Sequence, residues 1–474
     1  MQLTVASIAN ATGGCLIQGS ADTPLARVST DSRTVRAGEL FLAVQGDTFD
    51  GHAYVPTAAA AGAAAVVVHR WPLDVPPDLP VVLVDDTVKA YGHIAAAWVA
   101  TQPAKIVAIT GSNGKTTTKE MVAHLLDVLG PTLRSEGNHN NHIGVPETLL
   151  RVSPEHRFAV VEMGTSHPGE IEALAKLVEA QVAVITNIGP SHLEAFGTEH
   201  GVAHEKAKLL NHLAPGGLAV LHADDEWSRT IAERHQGRIA TFGISPDAEW
   251  RGRAVQSDDN GVRFALAGTG VSFAAPVLGR HQVSNCLAAL AVAAEMGLTP
   301  EMAADRLATF VPPKWRMAMH HIGAMTLMLD CYNANPASMR GAIEELSHRR
   351  VAGRRVAVLG DMLEMGRAAV PAHEDLGRWA AIAGFDALVA VGEHAEIVAR
   401  SARLEGMDPD CVLWTADRDS AAQWLCARLQ ETDAVLFKGS RGVHIEHVAD
   451  VVEHWARIHF RVADRPHEPV GSRL

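Results

Sequence analysis

The sequence of 474 residues is poor in cysteine, and it lacks long apolar runs. Its five cysteines, Cys15, Cys286, Cys331, Cys411 and Cys426, are scattered, and no pair has the spacing of zinc ligands. We interpret them as buried free thiols of a reducing compartment. No apolar stretch reaches the roughly 18 residues of a membrane span, and the first residues lack the pattern of a signal peptide. We therefore expect a cytoplasmic protein with no membrane span.

Positive charge is also scarce: the chain has 41 Lys and Arg residues but 54 Asp and Glu residues, which gives a formal net charge of −13. A general nucleic-acid binder needs a basic surface, so this balance argues against that class. It leaves anionic small substrates open, since a basic pocket can lie in an acidic protein. Hydrophobic residues make up 47% of the chain, which is typical of a globular protein with a sizeable core.

Short β-branched runs alternate with longer Ala- and Leu-rich segments of helical period, as in an α/β protein with doubly wound parallel sheets. The runs are residues 105–110, 158–163, 182–188, 354–362, 386–392 and 433–439. Proline clusters at 69–86 and 310–317 interrupt this alternation and favour linkers. We predict a small N-terminal α/β domain (1–86), a central domain with a phosphate-loop (P-loop) ATPase-type parallel sheet (87–312) and a C-terminal Rossmann-like domain (313–474).

A phosphate-binding loop is predicted where the run KIVAIT (105–110) leads into the Gly-rich turn 111–116 and then into a helix. Backbone N–H groups and the helix dipole favour an anion there. Lys115 would reach the terminal phosphates and Thr116 would bind Mg²⁺. A full Walker A motif has Gly where this chain has Ile109, so the loop is a variant. The alternative is a plain strand-to-helix turn with a chance lysine.

Two polar residues lie at the ends of predicted strands. Glu162 ends one run and His192 lies just beyond another, so both should emerge at the carboxyl edge, where open α/β sheets bind ligands. A carboxylate and an imidazole there could hold a second metal ion, although Glu162 could instead cap a helix and His192 could be a turn residue. Residues 135–150 are predicted to be a polar loop that leads into a helix and could present groups to a substrate. On the amphipathic helix 201–213, Lys206 and Lys208 taken alone are solvated surface charges.

Taken together, these motifs resemble those of the Mur ligases of bacterial cell-wall synthesis, which are three-domain, ATP-dependent amide-forming enzymes. The resemblance extends from about residue 25 to 455. Where the family has a His-Asn pair, this chain has His281–Gln282. The matching stretches are TGSNGKTTTKEM (110–121), EGNHNNHIGVP (136–146), VVEMGTSHPGEI (160–171), ITNIGPSHLEAFG (185–197), GRHQVSNCLAALA (279–291), LDCYNANPASM (329–339), LGDMLEMG (359–366) and FKGSRG (437–442).

The resemblance implies a role for each matching residue. A carbamylated lysine serves the family as a metal ligand, and only the resemblance selects Lys206 over Lys208 for it. The expected catalytic residues are Lys115, Lys206, His192 and Glu162; the metal ligands are Thr116, Glu162, His192 and Lys206. ATP is expected at Gly111, Ser112, Asn113, Gly114, Lys115, Thr116, Thr117, His281, Asn285, Arg316 and Asp330. The substrates are expected at Thr30, Asp31, Ser32, Arg33, Phe41, Gln45 and Gly46 (the uridine nucleotide), at Asn138, Asn140, Asn141, Thr165 and Ser166, and at Asn333, Asn335 and Ser338 (the dipeptide).

Within the family, the stretch YNANPASM is similar to the members that add D-alanyl-D-alanine. The resemblance therefore implies that this chain joins D-alanyl-D-alanine to UDP-N-acetylmuramoyl-tripeptide, using ATP and two Mg²⁺ ions, through an acyl phosphate. A monomer is expected. Alternatives are a tripeptide-forming Mur ligase, a folylpolyglutamate synthase, which should lack the N-terminal unit, and a phosphate-loop switch or motor. No Asn-Lys-x-Asp guanine signature occurs. The sequence leaves open whether the third residue of the tripeptide is diaminopimelate or lysine.

Overall fold

The computed structural model describes residues 3–46, 49–71 and 75–460. The outermost ends of the first and third expected domains and part of the first proline cluster lie outside these ranges. The α/β class is confirmed: three separate sheets are flanked by helices. Each sheet has the predicted parallel strands and, at one edge, antiparallel pairs.

The first sheet has the strand order β1-β5-β4-β3-β2, with β1 antiparallel to β5 and the other pairs parallel. Helix α3 begins after Asp86, whose carboxylate accepts the amides of Val88 and Lys89. Strands and helices of this part are β1 (Cys15–Gln18), β2 (Val28–Ser29), β3 (Leu40–Leu42), β4 (Ala65–Val68), β5 (Val81–Leu83), α1 (Val5–Thr12), α2 (Val55–Ala60) and α3 (Thr87–Val99).

The second sheet has the order β14-β13-β12-β11-β10-β9-β6-β8-β7, parallel from β7 to β12 and antiparallel beyond. Its strands are β6 (Lys105–Thr110), β7 (Thr132–Arg134), β8 (Phe158–Glu162), β9 (Ala180–Ile185), β10 (Leu213–His222), β11 (Arg238–Gly243), β12 (Trp250–Asp258), β13 (Gly261–Leu266) and β14 (Ser272–Ala275). Its helices are α4 (Lys115–Leu126), α5 (Gly144–Leu150), α6 (Glu170–Ala175), α7 (Leu193–Phe196), α8 (Glu199–Ala207), α9 (Glu226–Arg234), α10 (Gln282–Glu295) and α11 (Pro300–Leu307).

The third sheet has the order β15-β16-β20-β17-β18-β19, with only β15 antiparallel. Its strands are β15 (Ala318–Ile322), β16 (Met325–Asp330), β17 (Arg355–Gly360), β18 (Ala387–Val391), β19 (Val412–Thr415) and β20 (Ala434–Lys438). Its helices are α12 (Pro336–His348), α13 (Ala369–Ile382), α14 (Ala395–Leu404), α15 (Arg418–Cys426) and α16 (Ile445–His459).

The cores of the first two parts meet at helix α3. Tyr91 and Ile94 pack into the core of the first sheet, whereas Ala95 and Val99 pack into that of the second. The three sheets occupy residues 15–83, 105–275 and 318–438, and the division of the chain near residues 86 and 312 stays our prediction. No helix in the described part of the chain is both long and apolar enough to cross a bilayer. The cysteines are free as predicted, but only Cys286 and Cys331 are buried, and Cys15 is exposed.

Candidate active site

Two glycines shape the turn between β6 and α4. A Cβ on Gly111 would lie 1.9 Å from Thr186 Oγ1, and one on Gly114 would lie 2.4 Å from Asn285 Oδ1. Gly114 also has a φ of +80°, which disfavours side chains. Because α4 begins directly after it, the first amides of the helix face the turn. The close approach of the backbone and the exposed helix start fit a bound phosphate.

The segment that follows β9 braces this loop. The amide of Ser112 donates to the carbonyl of Asn187 (2.9 Å), and the amide of Asn113 donates to the side-chain oxygen of Asn187 (2.9 Å). The hydroxyl of Ser112 donates to the carbonyl of Gly189 and accepts from Ser191, both at 3.0 Å. These bonds hold the loop in one shape. Thr117, also predicted to touch nucleotide, is buried within α4.

Two lysines converge on the carbonyl oxygen of Gly111. The ammonium of Lys115 donates to it at 2.6 Å and that of Lys206 at 3.1 Å. Burial lowers the pKa of both lysines, and for Lys206 the lowering is large and is reinforced by the nearby charge of Lys115. Lys206 is 1% exposed, so the reading of it as a solvated surface charge was wrong. Lys208 is the partly exposed one and pairs with Glu205 at 2.9 Å.

Glu162 lies at the end of β8 and is 1% exposed. Its Oε1 accepts from the side-chain amide of Asn140 at 2.8 Å and from the hydroxyl of Thr116 at 3.3 Å. Its Oε2 is buried, has no hydrogen-bond partner and lies 3.8 Å from the ammonium of Lys119. A buried carboxylate oxygen with a lone pair to spare, next to a threonine hydroxyl, fits a ligand of Mg²⁺, which prefers oxygen donors.

His192 precedes α7 with a φ of +51°, in the left-handed region. Its Nδ1 contacts the carboxylate of Glu364, at ion-pair distance but without the alignment of a regular hydrogen bond. The preceding residue, Ser191, touches the phosphate loop. The structure therefore confirms that both Glu162 and His192 lie at the edge that carries the loop, as the order of the strands predicts.

Residues from beyond 312 also reach the loop. Arg316 donates to the hydroxyl of Thr116 at 2.9 Å, and its guanidinium stacks on the ring of Tyr332 at 3.9 Å. The side-chain amide of Asn335 donates to Asn113 Oδ1 at 2.8 Å. Asn335 and Ser338 also form the capping box of α12, because each side chain accepts the other's amide, at 2.9 and 3.1 Å.

A partly buried ion pair lies at the carboxyl edge of the third sheet. Lys438, which is 1% exposed, donates to Asp330 Oδ2 at 2.6 Å and to the carbonyl of Asn333 at 3.0 Å. The side chain of Asn333 accepts the next amide in the chain, that of Ala334, at 2.9 Å. Asp330 and Asn333 were predicted to contact ligands, and in this structure Lys438 holds both in place.

The predicted adenine-side residues lie near the start of α10. Asn285 donates to Gln282 Oε1 at 2.7 Å and accepts from Thr118 at 3.3 Å. Gln282, whose role the sequence left undefined, therefore orients Asn285, which in turn packs on Gly114. His281 lies one residue before the helix and is exposed.

The polar loop before α5 and the turn after β8 are internally bonded. The side-chain oxygen of Asn141 accepts the amides of Ile143 and Gly144 at the start of α5, and the carbonyl of Asn138 accepts the amide of Asn140 at 2.7 Å. The hydroxyl of Thr165 donates to the carbonyl of His167 at 2.9 Å. The amide of Ser166 donates to Glu170 at 2.7 Å. Asn140 alone of this set reaches Glu162.

The residues predicted to hold a uridine nucleotide lie in the first part of the chain. Arg33 forms a two-pronged ion pair with Asp31, and the hydrogen bonds from Arg33 lower the pKa of Asp31 to about 2. Thr30 and Ser32 beside them are half-buried, and Gln45 and Gly46 are exposed. Phe41 is 1% exposed within the core, so its side chain is out of reach of a ligand. Within residues 3–46, 49–71 and 75–460, no hydrogen bond or ion pair joins this set to the phosphate loop.

Another cluster of candidate metal ligands consists of Asp361, His373 and His394. Both ring nitrogens of His373 are already bonded, one to the amide of Met362 at 3.0 Å and one to the carbonyl of Ala369 at 2.7 Å. Asp361 accepts the amides of Glu393 and His394 before α14. These bonds indicate that the cluster joins β17 to its neighbouring helices.

Sequence reasoning missed four residues of this site: Lys119, Asn187, Glu364 and Lys438. Lys119 lies one helical turn after Lys115 and Lys438 ends a predicted strand, so the shared helix face and the shared sheet edge could have indicated them. The roles of Asn187 and Glu364 depend on contacts with distant parts of the chain, for which a single sequence carries no signal.

Three family models match the chain. They are the Mur ligase family, catalytic domain (residues 24–98), the Mur ligase middle domain (109–293) and the Mur ligase, glutamate ligase domain (315–441). Together they contain the phosphate loop, Glu162, His192, Lys206 and Asp330.

Named relatives match over nearly the whole chain. The UDP-N-acetylmuramoyl-tripeptide–D-alanyl-D-alanine ligase of Escherichia coli is 36% identical over 446 residues, 92% of this chain and 95% of the relative. A crystal structure of MurF from Acinetobacter baumannii is similar with a TM-score of 0.87 at 33% identity, covering 96% of this chain and 99% of that one. The MurF ligase of Thermotoga maritima, solved in complex with ADP, is similar with a TM-score of 0.81 at 28% identity, covering 91% and 98%.

Proposed function

The chain belongs to the Mur ligase family, and we propose that it is an ATP-dependent ligase that joins D-alanyl-D-alanine to the terminal carboxylate of UDP-N-acetylmuramoyl-tripeptide. The product would be the pentapeptide precursor of peptidoglycan, with ADP and phosphate. The observation that carries the proposal is the convergence of Lys115 and Lys206 on the Gly111 carbonyl of the phosphate loop, at the sheet edge that also carries Glu162. The names of relatives that match over nine-tenths of the chain support the choice of substrates.

ATP would lie with its phosphates on the amides of residues 111–116. Lys115 would turn from the Gly111 carbonyl to the terminal phosphates, since among the described residues its ammonium bonds only to two loop carbonyls, at 2.6 and 3.4 Å. His281 and Asn285 would hold the adenine side, with Asn285 oriented by Gln282. Arg316 already lies 2.9 Å from Thr116, so it would add positive charge on the opposite side of the phosphates.

Mg²⁺ would be held by Thr116 and, at a second position, by Glu162, His192 and a carbamylated Lys206. The partner-free Oε2 of Glu162 and the lowered pKa of Lys206 support this assignment. A neutral lysine amine can add CO₂ and become an anionic oxygen ligand, which a charged ammonium cannot. When bound, the two ions would neutralise the charge that develops on the transferred phosphoryl group.

A carboxylate oxygen of the tripeptide would attack the γ-phosphorus of ATP in line, and ADP would leave. The amine of D-alanyl-D-alanine would then attack the carbonyl carbon of the acyl phosphate, lose a proton and expel phosphate, so that an amide bond forms. The hydrogen bond from Asn335 to Asn113 brings the residues predicted to bind the dipeptide close to the phosphate loop. These residues are Asn333, Asn335 and Ser338. Closure of the third domain would keep water from hydrolysing the acyl phosphate.

The UDP end of the tripeptide would bind the first domain, at Thr30, Asp31, Ser32, Arg33, Gln45, Gly46 and the backbone of Phe41. Residues 138–141 and 165–166 would bind the peptide stem, and the exposed, two-pronged Arg33–Asp31 pair offers charge at the surface for the nucleotide. We also propose that the enzyme acts as a monomer in the cytoplasm, where ATP is supplied and the five free cysteines stay reduced.

Phosphate release from ATP tests the proposal. Purified protein is mixed with UDP-N-acetylmuramoyl-tripeptide and, in parallel reactions, with D-alanyl-D-alanine, glutamate or diaminopimelate; a folate with glutamate completes the set. We expect release only with the tripeptide and D-alanyl-D-alanine together. Release with a folate and glutamate would instead identify a folylpolyglutamate synthase. Comparing tripeptides that end in diaminopimelate or lysine decides the third residue.

A further inference from the structure

Helix α7, from the central part of the chain, docks on residues 362–368 of the third part. The amide of Glu194 donates to the carbonyl of Glu364 at 3.1 Å. A Cβ on Gly366 would lie 3.0 Å from Glu194 Cα, so the two backbones touch. Leu193 packs against the cores of both parts. The contact between α7 and this segment is therefore a built interface, with apolar packing, a hydrogen bond and close backbone approach.

His192 and Glu364 face each other at this interface, and both have strained backbones. Their φ angles are +51° and +61°, in the left-handed region that residues with a side chain seldom adopt. Such conformations persist only where the surrounding structure enforces them, and they concentrate at functional sites. The carboxylate of Glu364 contacts Nδ1 of His192, which leaves Nε2 as the nitrogen that can bind a metal ion.

We propose that Glu364 is a positioning residue: its carboxylate fixes the ring of His192 through Nδ1, so that the metal-binding form of His192 depends on docking of the third domain. A histidine that ligates a metal is usually oriented by a carboxylate or carbonyl on its other nitrogen. Here that carboxylate comes from a different sheet than the histidine. The inference rests on the proposed function, which makes His192 a metal ligand.

Coupling between docking of the third domain and metal binding at His192 is reciprocal. If docking strengthens metal binding at His192, then metal binding must favour the docked arrangement by the same factor. The contact between Glu364 and His192 would keep the metal site incomplete until the third domain is docked. That domain also carries Arg316, Asn333 and Asn335.

The test measures binding of Mn²⁺, a paramagnetic substitute for Mg²⁺, to the protein with ADP by electron paramagnetic resonance. Glu364→Gln keeps the size of the side chain and removes its charge, and we expect Mn²⁺ to bind about 10- to 100-fold more weakly. Glu364→Asp, which keeps the charge but shortens the reach, should fall between this variant and the wild type. The matched control is Glu431→Gln, since Glu431 is exposed and makes no side-chain bond within the described residues. Unchanged Mn²⁺ affinity in both Glu364 variants would overturn the inference.

A second measurement separates a positioning role from a structural one. Fluorophores on the central and third domains report their separation by energy transfer as Mn²⁺ is added. Metal should shift the wild type towards the shorter separation, and it should shift Glu364→Gln much less. An equal shift in the two proteins contradicts the coupling. Neither readout needs the tripeptide or the dipeptide, so failure of the inference is distinct from failure of the proposed function, which the wild-type phosphate-release assay tests.

Discussion

Asn335 donates a hydrogen bond from its side-chain amide to Asn113 Oδ1 at 2.8 Å, and this bond ties the first turn of α12 to the phosphate loop. The same side chain caps α12, because its oxygen accepts the amide of Ser338 at 2.9 Å. One residue thus starts a helix in the third part of the chain and contacts the phosphate loop of the second.

Asn335→Asp separates these two roles. The carboxylate still caps α12 but has no N–H for Asn113, so the 2.8 Å bond is lost and only the longer bond, which Asn113 donates to Oδ1 of residue 335 at 3.4 Å, remains. Loss of one hydrogen bond of about 1 kcal/mol should lower kcat/KM about fivefold with little change in the melting temperature. Asn335→Ala removes the cap as well and should cost about 1 kcal/mol of stability in addition. Asn260→Asp, in an exposed turn, is the control. An effect confined to the KM for D-alanyl-D-alanine would show a dipeptide contact instead of a link between domains.

Lys115→Ala should abolish phosphate release. Its ammonium is the one cation of the loop itself, and a lost preorganised charge of this kind lowers kcat by about 10²- to 10³-fold. The measurement is ATP-dependent phosphate release in the presence of both substrates. Lys89→Ala, on the exposed side of α3, serves as the control. Near-normal turnover of the Lys115 variant contradicts the nucleotide site.

Lys206→Ala should lose activity and regain part of it when short-chain carboxylic acids are added. The acid would supply the anionic oxygens that the carbamate supplies in the wild type, in the space the side chain has left. Lys208→Ala is the matched control, because Lys208 is two residues away and pairs with Glu205. If added acids restore nothing although ATP still binds, the carbamate is not the ligand.

In buffer free of CO₂, where Lys206 carries no carbamate, Lys206→Met should stabilise the protein, and it should also inactivate the enzyme. The pKa of Lys206 is lowered by burial, so the unfolded chain, with a lysine pKa near ~10.4, binds more protons than the native protein. The cost of the buried lysine is therefore fully present below its lowered pKa and fades as pH rises towards ~10.4. Melting curves across this window should rise less steeply with pH for Lys206→Met than for the wild type. If Lys206→Met melted at a lower temperature than the wild type at neutral pH, burial of the lysine would not destabilise the protein as we expect.

Gly111→Ala should be among the most destabilising changes in the phosphate loop. The added Cβ would lie 1.9 Å from Thr186 Oγ1, so the strand β6 or the segment after β9 must move. Gly169→Ala is the matched control, because Gly169 also has a positive φ (+94°) but open space around it. We expect Gly169→Ala to cost about 1 kcal/mol, and Gly111→Ala about 3 kcal/mol or more. Equal melting temperatures would mean that the loop relaxes around the methyl group.

Local chemistry explains what the sequence predicted well. The run at 105–110 became β6 and the helix after the glycines begins at Lys115, because a buried apolar run and a Gly-rich turn leave few alternatives. Glu162 and His192 were placed at the correct edge because strands of a parallel sheet end on the same side. The α/β class followed from the same alternation of runs.

Spacing alone could not decide between residues of the same type, whereas the family resemblance and the tertiary structure could. Lys206 and Lys208 have the same chemistry, and the sequence predicts one helix that contains both. In the structure, burial beneath the phosphate loop distinguishes Lys206. Phe41 lies in the stretch predicted to bind a uridine nucleotide, yet its side chain belongs to the core of the first sheet. Asn335 meets Asn113, and Glu364 meets His192, across parts of the chain that the sequence separates widely. The sequence by itself determined the strands, the loop and the kind of chemistry, since these depend on neighbouring residues. Which side chains are buried or brought together depends on packing between distant segments, and only the folded chain determines this packing.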